Sequence, residues 1–436
     1  MKVLPRNKDT FLKTVLQVLP SDYQEQAYQQ GAFTRSRKLH SPEQLFELVM
    51  SYCCLDYSLR TCAGHMAVNK TALSDTAVMK RLLPCLPWLK SLLSSVLLNK
   101  LAKNPTNSPY RFLAIDASTV QVKGARSTSY RLHLAMDLIT LSQTQIKITD
   151  THQGENLSHY DLQANDIVLV DRGYNQPKTL VPFIEKGGHI VLRYNPKGMT
   201  LYHPPEEDGL MQRIDWVKEV INVQGDTACK EVMIRYDNKI LKGYVHLSRL
   251  SKAHAEKAHR ELRRSAQRRQ YTASKRAFAL ADWMFVFTTL TPDVLDTKTV
   301  MALYRTRWQI ELVFKRLKSL LSLTELRAKQ GSPLAEIYLY GKLLYAAMLE
   351  CHLRQYVNVN ALYLYDEKRD RLETPWRWWH LFHQQFMACL SIYLSPSSIP
   401  IEAVQKAMRE RKRRRKLQAI PENLIENLQN AIIYDK

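Results

Sequence analysis

Short apolar runs with polar stops set the rhythm of the middle of this chain. Phe112-Leu113-Ala114-Ile115 ends at Asp116, and Ile167-Val168-Leu169-Val170 ends at Asp171. Runs this short and this apolar predict strands buried on both faces, each closing on an aspartate. Residues 130–137 and 144–149 predict two more strands joined by a polar turn, and 189–194 another, after a helix over 177–186. Strands, then strand alternating with helix, predict a mixed α/β sheet covered on both faces. On either side the period changes. The first hundred residues lack strand alternation, and Leu45, Leu48, Val49 and Tyr52 repeat at helical spacing, with Pro84, Pro87 and Pro105 punctuating the chain beyond them. Between 197 and 290, three pieces rich in Val, Ile and Tyr (216–223, 230–236 and 240–247) predict strands. A basic stretch over 251–277 predicts a helix, 283–289 returns to strand, and from Thr297 the pattern is helical.

The stretch 304–321, YRTRWQIELVFKRLKSLL, carries the most information. At 100° per residue, Tyr304, Arg307, Glu311, Lys315 and Lys318 fall within about 80° of one another. Ile310, Val313, Phe314, Leu317, Leu320 and Leu321 occupy much of the remaining circumference, with Trp308 and Leu312 flanking the polar stripe. An aromatic and a leucine hard against the charges suggest a stripe set in a groove. A surface helix with helpful i,i+4 pairs such as Glu311–Lys315 accounts for the pattern equally well.

Composition narrows the chemistry. A chain of 436 residues, 45% hydrophobic and 24% charged, is ordinary globular material for about two to four structural units. Lys and Arg number 63 against 41 Asp and Glu, a net charge of +22. That excess points to a polyanionic partner, nucleic acid before an anionic membrane surface. No stretch approaches 18 consecutive apolar residues, so no spanning helix is expected, and the start lacks the apolar core of a signal peptide. Cys53, Cys54, Cys62, Cys85, Cys229, Cys351 and Cys389 form no CxxC pair and no zinc spacing, so reduced, mostly buried thiols are expected.

A lone aspartate at a strand end is commonly a turn or cap residue. Two of them on neighbouring strands, with Glu311 on a helix packed beside them, are a different proposition. Three converging carboxylates repel unless a multivalent cation neutralises them. Their hard oxygens suit Mg²⁺ or Mn²⁺, and a pair of such ions about 3.5–4 Å apart serves phosphodiester chemistry. A positive surface to hold nucleic acid and a metal site to cut it belong together.

The spacing Tyr304-x2-Arg307-x3-Glu311-x6-Lys318 resembles the YREK motif of DDE transposases of the insertion-sequence-four type. Ile115-Asp116-Ala117-Ser118-Thr119 looks like the first-Asp strand of that family, and Asp171-Arg172-Gly173-Tyr174 like its second-Asp motif. The likeness spans about 112–319, including a β-rich insertion ahead of the Glu. It implies an RNase H-like core in which Asp116, Asp171 and Glu311 are the catalytic, metal-binding triad for two Mg²⁺ (or Mn²⁺) ions. Tyr304, Arg307 and Lys318 would contact DNA at the transposon end, and Arg193, closing the strand HIVLR, would reach DNA too. Trp283 would stack on a flipped base, as in hairpin-forming relatives. A core aromatic and a solvent-facing arginine are the plain alternatives for Trp283 and Arg193.

The activity so implied is cut-and-paste transposition: hydrolysis and strand transfer, through a hairpin at the element's end. The partners would be double-stranded DNA with terminal inverted repeats, target DNA and a second copy of the chain, in the cytoplasm at the nucleoid and with no membrane. The rivals are a catalytically silent end-binding regulator and another RNase H-like nuclease. On this reading 1–105 is a helical end-binding region, 106–196 and 291–350 are the two parts of the core, 197–290 is the insertion, and 351–436 is a helical region with a basic tail. Arg263, Arg264, Arg268 and Arg269, and the basic run 409–416, would touch phosphates and give affinity without sequence information. Asp137 is expected as a strand-end polar residue, His133 and His159 as structural, and Asp161 and Asp166 as cap or loop residues.

Overall fold

The computed structural model describes residues 16–68, 73–102, 110–122, 127–205, 209–323, 325–358 and 375–390, with paired two-residue pieces at 364–365, 371–372, 410–411 and 420–421. The chain enters through helices α1 (Tyr23–Gln29), α2 (Pro42–Cys53), α3 (Leu59–Val68), α4 (Asp75–Leu82) and α5 (Leu86–Ala102). The start of α2 is written in its sequence: the Ser41 side chain accepts the Gln44 N–H, and Pro42 fills the first turn, where its missing donor costs nothing. By length and hydropathy alone the helical run Asp75–Leu98 is long and apolar enough to cross a membrane, a test that a buried core helix also passes. Close to half of its most apolar window is buried, with Val78, Leu82, Trp88, Leu89 and Leu92 turned into the core.

The strands are β1 (Arg111–Val122), β2 (Tyr130–Asp137), β3 (Ser142–Thr149), β4 (Asp166–Val170), β5 (His189–Arg193), β6 (Thr227–Tyr236), β7 (Lys239–Arg249), β8 (Trp283–Thr288) and β9 (Glu325–Leu326). Among the described residues they form one nine-stranded sheet in the order β3-β2-β1-β4-β5-β8-β7-β6, with β9 pairing off this path with β1. β4 runs parallel to both β1 and β5, while β2 and β3 are antiparallel. This is the mixed α/β sheet expected, arranged as in an RNase H-like core. β8 pairs antiparallel with β5, so the strands of 197–290 continue the same sheet.

Two hydrophobic layers explain the apolar runs. Phe112, Ala114, Ile167 and Leu169 face one layer, whereas Leu113, Ile115, Val168 and Val170 face the other. Between and after the strands come α6 (Pro177–Glu185), α7 (Trp216–Ile221), α8 (Lys252–Arg268), α9 (Lys275–Ala281), α10 (Thr297–Thr306), α11 (Trp308–Leu321), α12 (Pro333–Tyr356) and α13 (Pro375–Leu390).

Four expectations need correction. β1 does not stop at Asp116, because β2 pairs with it onward to Val120 and β9 takes up Gln121 and Val122. Residues 216–223 are not a strand: Asp215 accepts the Val217 N–H as a helix cap, and Trp216 and Val220 bury one face of α7. The basic stretch 251–277 is two helices, parted where Gln270 takes a φ of 54°. The stretch 304–321 is likewise broken, at Arg307. The basic run 409–416 lies outside the described residues except for Glu410 and Arg411.

Candidate active site

Backbone pairing places the two aspartates. In the parallel register of β1 with β4, Ala114 stands opposite Leu169. Two residues further along each strand, Asp116 and Asp171 are therefore level on neighbouring strands. The other end of the pair is pinned by Arg111, whose Nε and Nη2 each donate to an Asp166 carboxylate oxygen at 2.6 Å. Asp166 thus opens β4 as the partner of Arg111 and, as expected of a loop-ending residue, also accepts the Gln163 N–H at 2.7 Å.

The break between α10 and α11 places the third group. The Thr306 hydroxyl donates to the Leu303 carbonyl at 2.6 Å, and the Arg307 N–H donates three residues back to the Tyr304 carbonyl. The helix tightens there and restarts at Trp308. The Arg307 side chain, only 7% exposed, turns inward: Nη1 donates to Asp116 Oδ2 at 3.2 Å and Nη2 to Glu311 Oε1. From α10 the Tyr304 hydroxyl donates to Asp171 Oδ1 at 3.1 Å, and from β5 Arg193 Nη1 stands 3.9 Å from the same oxygen. Asp116, Asp171, Glu311, Tyr304, Arg307 and Arg193 are thereby brought together. Lys318 lies about two turns beyond Glu311 on α11, half-buried.

Burial, opposed by Arg307 and the Ala117 N–H, pushes the Asp116 carboxyl up to about 6. Burial acts on Asp171 as well, but Arg307, the Arg172 N–H, Arg193 and the Tyr304 hydroxyl outweigh it and hold that carboxyl below its ordinary value. Burial works against the charge on Arg307 too, and is overcome by Tyr304, Asp116, Asp171 and Glu311, which raise its pKa. The donor set, three carboxylates with hard oxygens of which one is kept short of its charge by burial, suits a divalent cation. Among the described residues no three acidic, His or Cys side chains are yet grouped closely enough to hold one. The Arg307 guanidinium is the cation these carboxylates share.

Several other expected residues stand apart. Trp283 is 5% exposed in the second apolar layer, with the Arg249 guanidinium 4.6 Å over its ring. A stacked base needs an open ring face, and these surroundings are those of the plain alternative, a core aromatic. The exposed tryptophan beside the site is Trp308, 43% exposed and next to Arg307. Arg263, Arg264, Arg268 and Arg269 are exposed on or just past α8, Arg263 lying 5.4 Å over Phe278. Asp137 closes β2 by accepting the N–H groups of Ile139 and Thr140. His133 pairs with Thr149 and His159 with the Gly154 carbonyl, and the side chain of Asp161 accepts from Gln163. A fourth carboxylate, Glu155, reaches the Asp171 turn from the loop after β3. Nothing in the spacing of the sequence marks it, since only the fold brings that loop to β4.

The family profile described as "Transposase DDE domain" matches residues 107–344, which include Asp116, Asp171 and Glu311. The Escherichia coli (strain K12) protein "Putative transposase InsL for insertion sequence element IS186A" is 27% identical over 341 residues, covering 76% of this chain and 90% of that protein. "Transposase for insertion sequence element IS421", also from Escherichia coli, is 27% identical over 342 residues with the same coverage.

Proposed function

The chain belongs to the DDE transposase family, and we propose that it is an insertion-sequence transposase of the insertion-sequence-four type that moves its element by cut and paste. DDE transposase domains cut DNA and use divalent metal ions. The observation that carries the reading is the β1–β4 register, which sets Asp116 level with Asp171, with Glu311 tied to Asp116 through Arg307.

Asp116, Asp171 and Glu311 would hold two ions, Mg²⁺ or Mn²⁺, which when bound supply an activated attacking hydroxyl and a stabilised leaving oxygen. Before DNA arrives, Arg307 and Tyr304 keep the carboxylates oriented. On the end DNA, Tyr304, Arg307, Lys318 and Arg193 offer donors to the phosphates beside the cut, where guanidinium forks suit phosphate geometry. Arg263, Arg264, Arg268 and Arg269 hold the duplex backbone from the insertion. One site serves nicking, hairpin closure, reopening and strand transfer into target DNA, because each is an in-line phosphoryl transfer. The aromatic available to stack on a base extruded for hairpin closure is Trp308. The helical N-terminal region would bind the terminal inverted repeats, the C-terminal region with its basic tail would support a homodimer on DNA, and the work would be done in the cytoplasm, at the nucleoid.

End DNA carrying the inverted repeat, incubated in Mg²⁺ with Asp116→Asn, Asp171→Asn or Glu311→Gln, tests this. Each variant should bind the end as the native chain does and fail to nick it. Near-native nicking by any one takes that residue out of the triad, and by all three overturns the reading.

A further inference from the structure

Glu155 belongs to no motif and to none of the roles above, yet its carboxylate is paired through one oxygen and packed through the other. Oε1 lies 3.4 Å from Arg131 Nη1, on β2. Oε2 lies against Gly173, in the space a side chain would fill: a Cβ there would fall 1.4 Å from it. Gly173 sits in the single 3₁₀ turn Arg172–Tyr174 that directly follows Asp171. The same turn is fastened from below, where the Tyr174 hydroxyl stands 3.0 Å from that of Tyr160, which donates to the Asp116 carbonyl at 3.1 Å. Loop 150–160 therefore braces both aspartate-bearing strands. Its carboxylate is also felt electrostatically at the site: Glu155 adds to the upward push on Asp116, and Asp171 adds to the push that burial exerts on Glu155.

We propose that Glu155 is a positioning residue of the ion-binding site, bracing the turn that carries Asp171 and adding a fourth negative charge beside the triad. The inference rests on the proposed ion-binding role of Asp116 and Asp171. Losing a partner just outside the ligands costs metal affinity without removing a ligand, by roughly 10–100-fold in characterised sites.

The test is Mn²⁺ titrated into the full chain on end DNA, followed by paramagnetic resonance. Glu155→Gln should weaken Mn²⁺ binding by about tenfold or more. Arg131→Gln breaks the same ion pair but keeps the carboxylate charge, and should leave Mn²⁺ affinity unchanged or higher. If the pair is only structural, both variants lower the melting temperature alike and neither moves Mn²⁺ affinity, which overturns the proposal. Asp116→Asn is run alongside. Should it lose Mn²⁺ while Glu155→Gln does not, the Glu155 inference alone falls. Should Asp116→Asn bind Mn²⁺ as the native chain does, the ion site lies elsewhere and the reading beneath falls with it.

Discussion

Arg307 is enclosed at 7% exposure between Asp116 and Glu311, whereas Arg263, Arg264, Arg268 and Arg269 stand in solvent along α8 or just beyond it. Both sets carry the same charge, but the fold holds them by different physics. Burying a guanidinium costs several kcal/mol and is tolerated only where hydrogen-bonded anions offset it. Arg307 therefore has one geometry, specified by a helix break and two carboxylates. The α8 arginines lose little hydration and need no fixed partner, so their effect on a polyanion is a sum rather than a set of individual roles. Where charge is buried the residue is particular; where it is exposed the count matters.

The largest effect should come from the buried side. Arg307→Gln leaves Asp116 and Glu311 without their shared cation. It should cost on the order of 2–4 kcal/mol in denaturant unfolding, somewhat below a fully buried pair because the carboxylates keep some solvent. Native-like stability would show that Arg307 is not their counter-ion. Next, replacing Arg263, Arg264, Arg268 and Arg269 together by Gln should weaken all duplex DNA alike and flatten the slope of log affinity on log salt by up to about 3–4. Loss of discrimination at unchanged slope would move these residues from the summed to the particular class.

Trp283→Phe sharpens the contrast within the sheet extension. A core aromatic stacked under Arg249 should lose about 1 kcal/mol of stability and leave the ratio of nicking to hairpin closure as it was. Slowed hairpin closure with native stability would restore a base-stacking role. The smallest effect concerns a buried group that, unlike Arg307, escapes its cost by staying neutral. Burial pushes the His133 ring down to about 3. As pH falls below about 6.5 the unfolded chain binds a proton that the folded chain refuses, so stability drops, by ~0.8 kcal/mol at pH ~6 from this group. His133→Gln should flatten that part of the stability–pH curve, and an unchanged slope would mean His133 charges in the folded state.

The contrast also marks what could be read from residues alone. Asp116 and Asp171 are legible because each follows a run whose alternate residues fill two different apolar layers, which only a doubly covered strand requires. Glu311 is legible from helical spacing. The break at Arg307 is not, because it rests on a hydroxyl–carbonyl bond from Thr306 that leaves no periodic trace. Where β1 ends is decided by its partners β2 and β9, so Asp116 reads as a strand end although the strand runs through it. Residues 216–223 have strand-like Val and Ile content, and one capping aspartate outweighs it. Trp283 opens a strand in either case, and whether its ring faces solvent depends on Arg249 and the layer beneath. Glu155 meets Gly173 only in three dimensions.

Anomalous scattering from Mn²⁺ in crystals of the full chain on end DNA tests whether Arg307 holds the place of metal among the three carboxylates proposed to bind it. Manganese is expected at about 2.0–2.2 Å from an oxygen of both Asp116 and Asp171, with Arg307 withdrawn from Asp116 and Glu311 onto a DNA phosphate. Manganese bound elsewhere, or Arg307 still bridging Asp116 and Glu311 in a cleavage-competent complex, would contradict it.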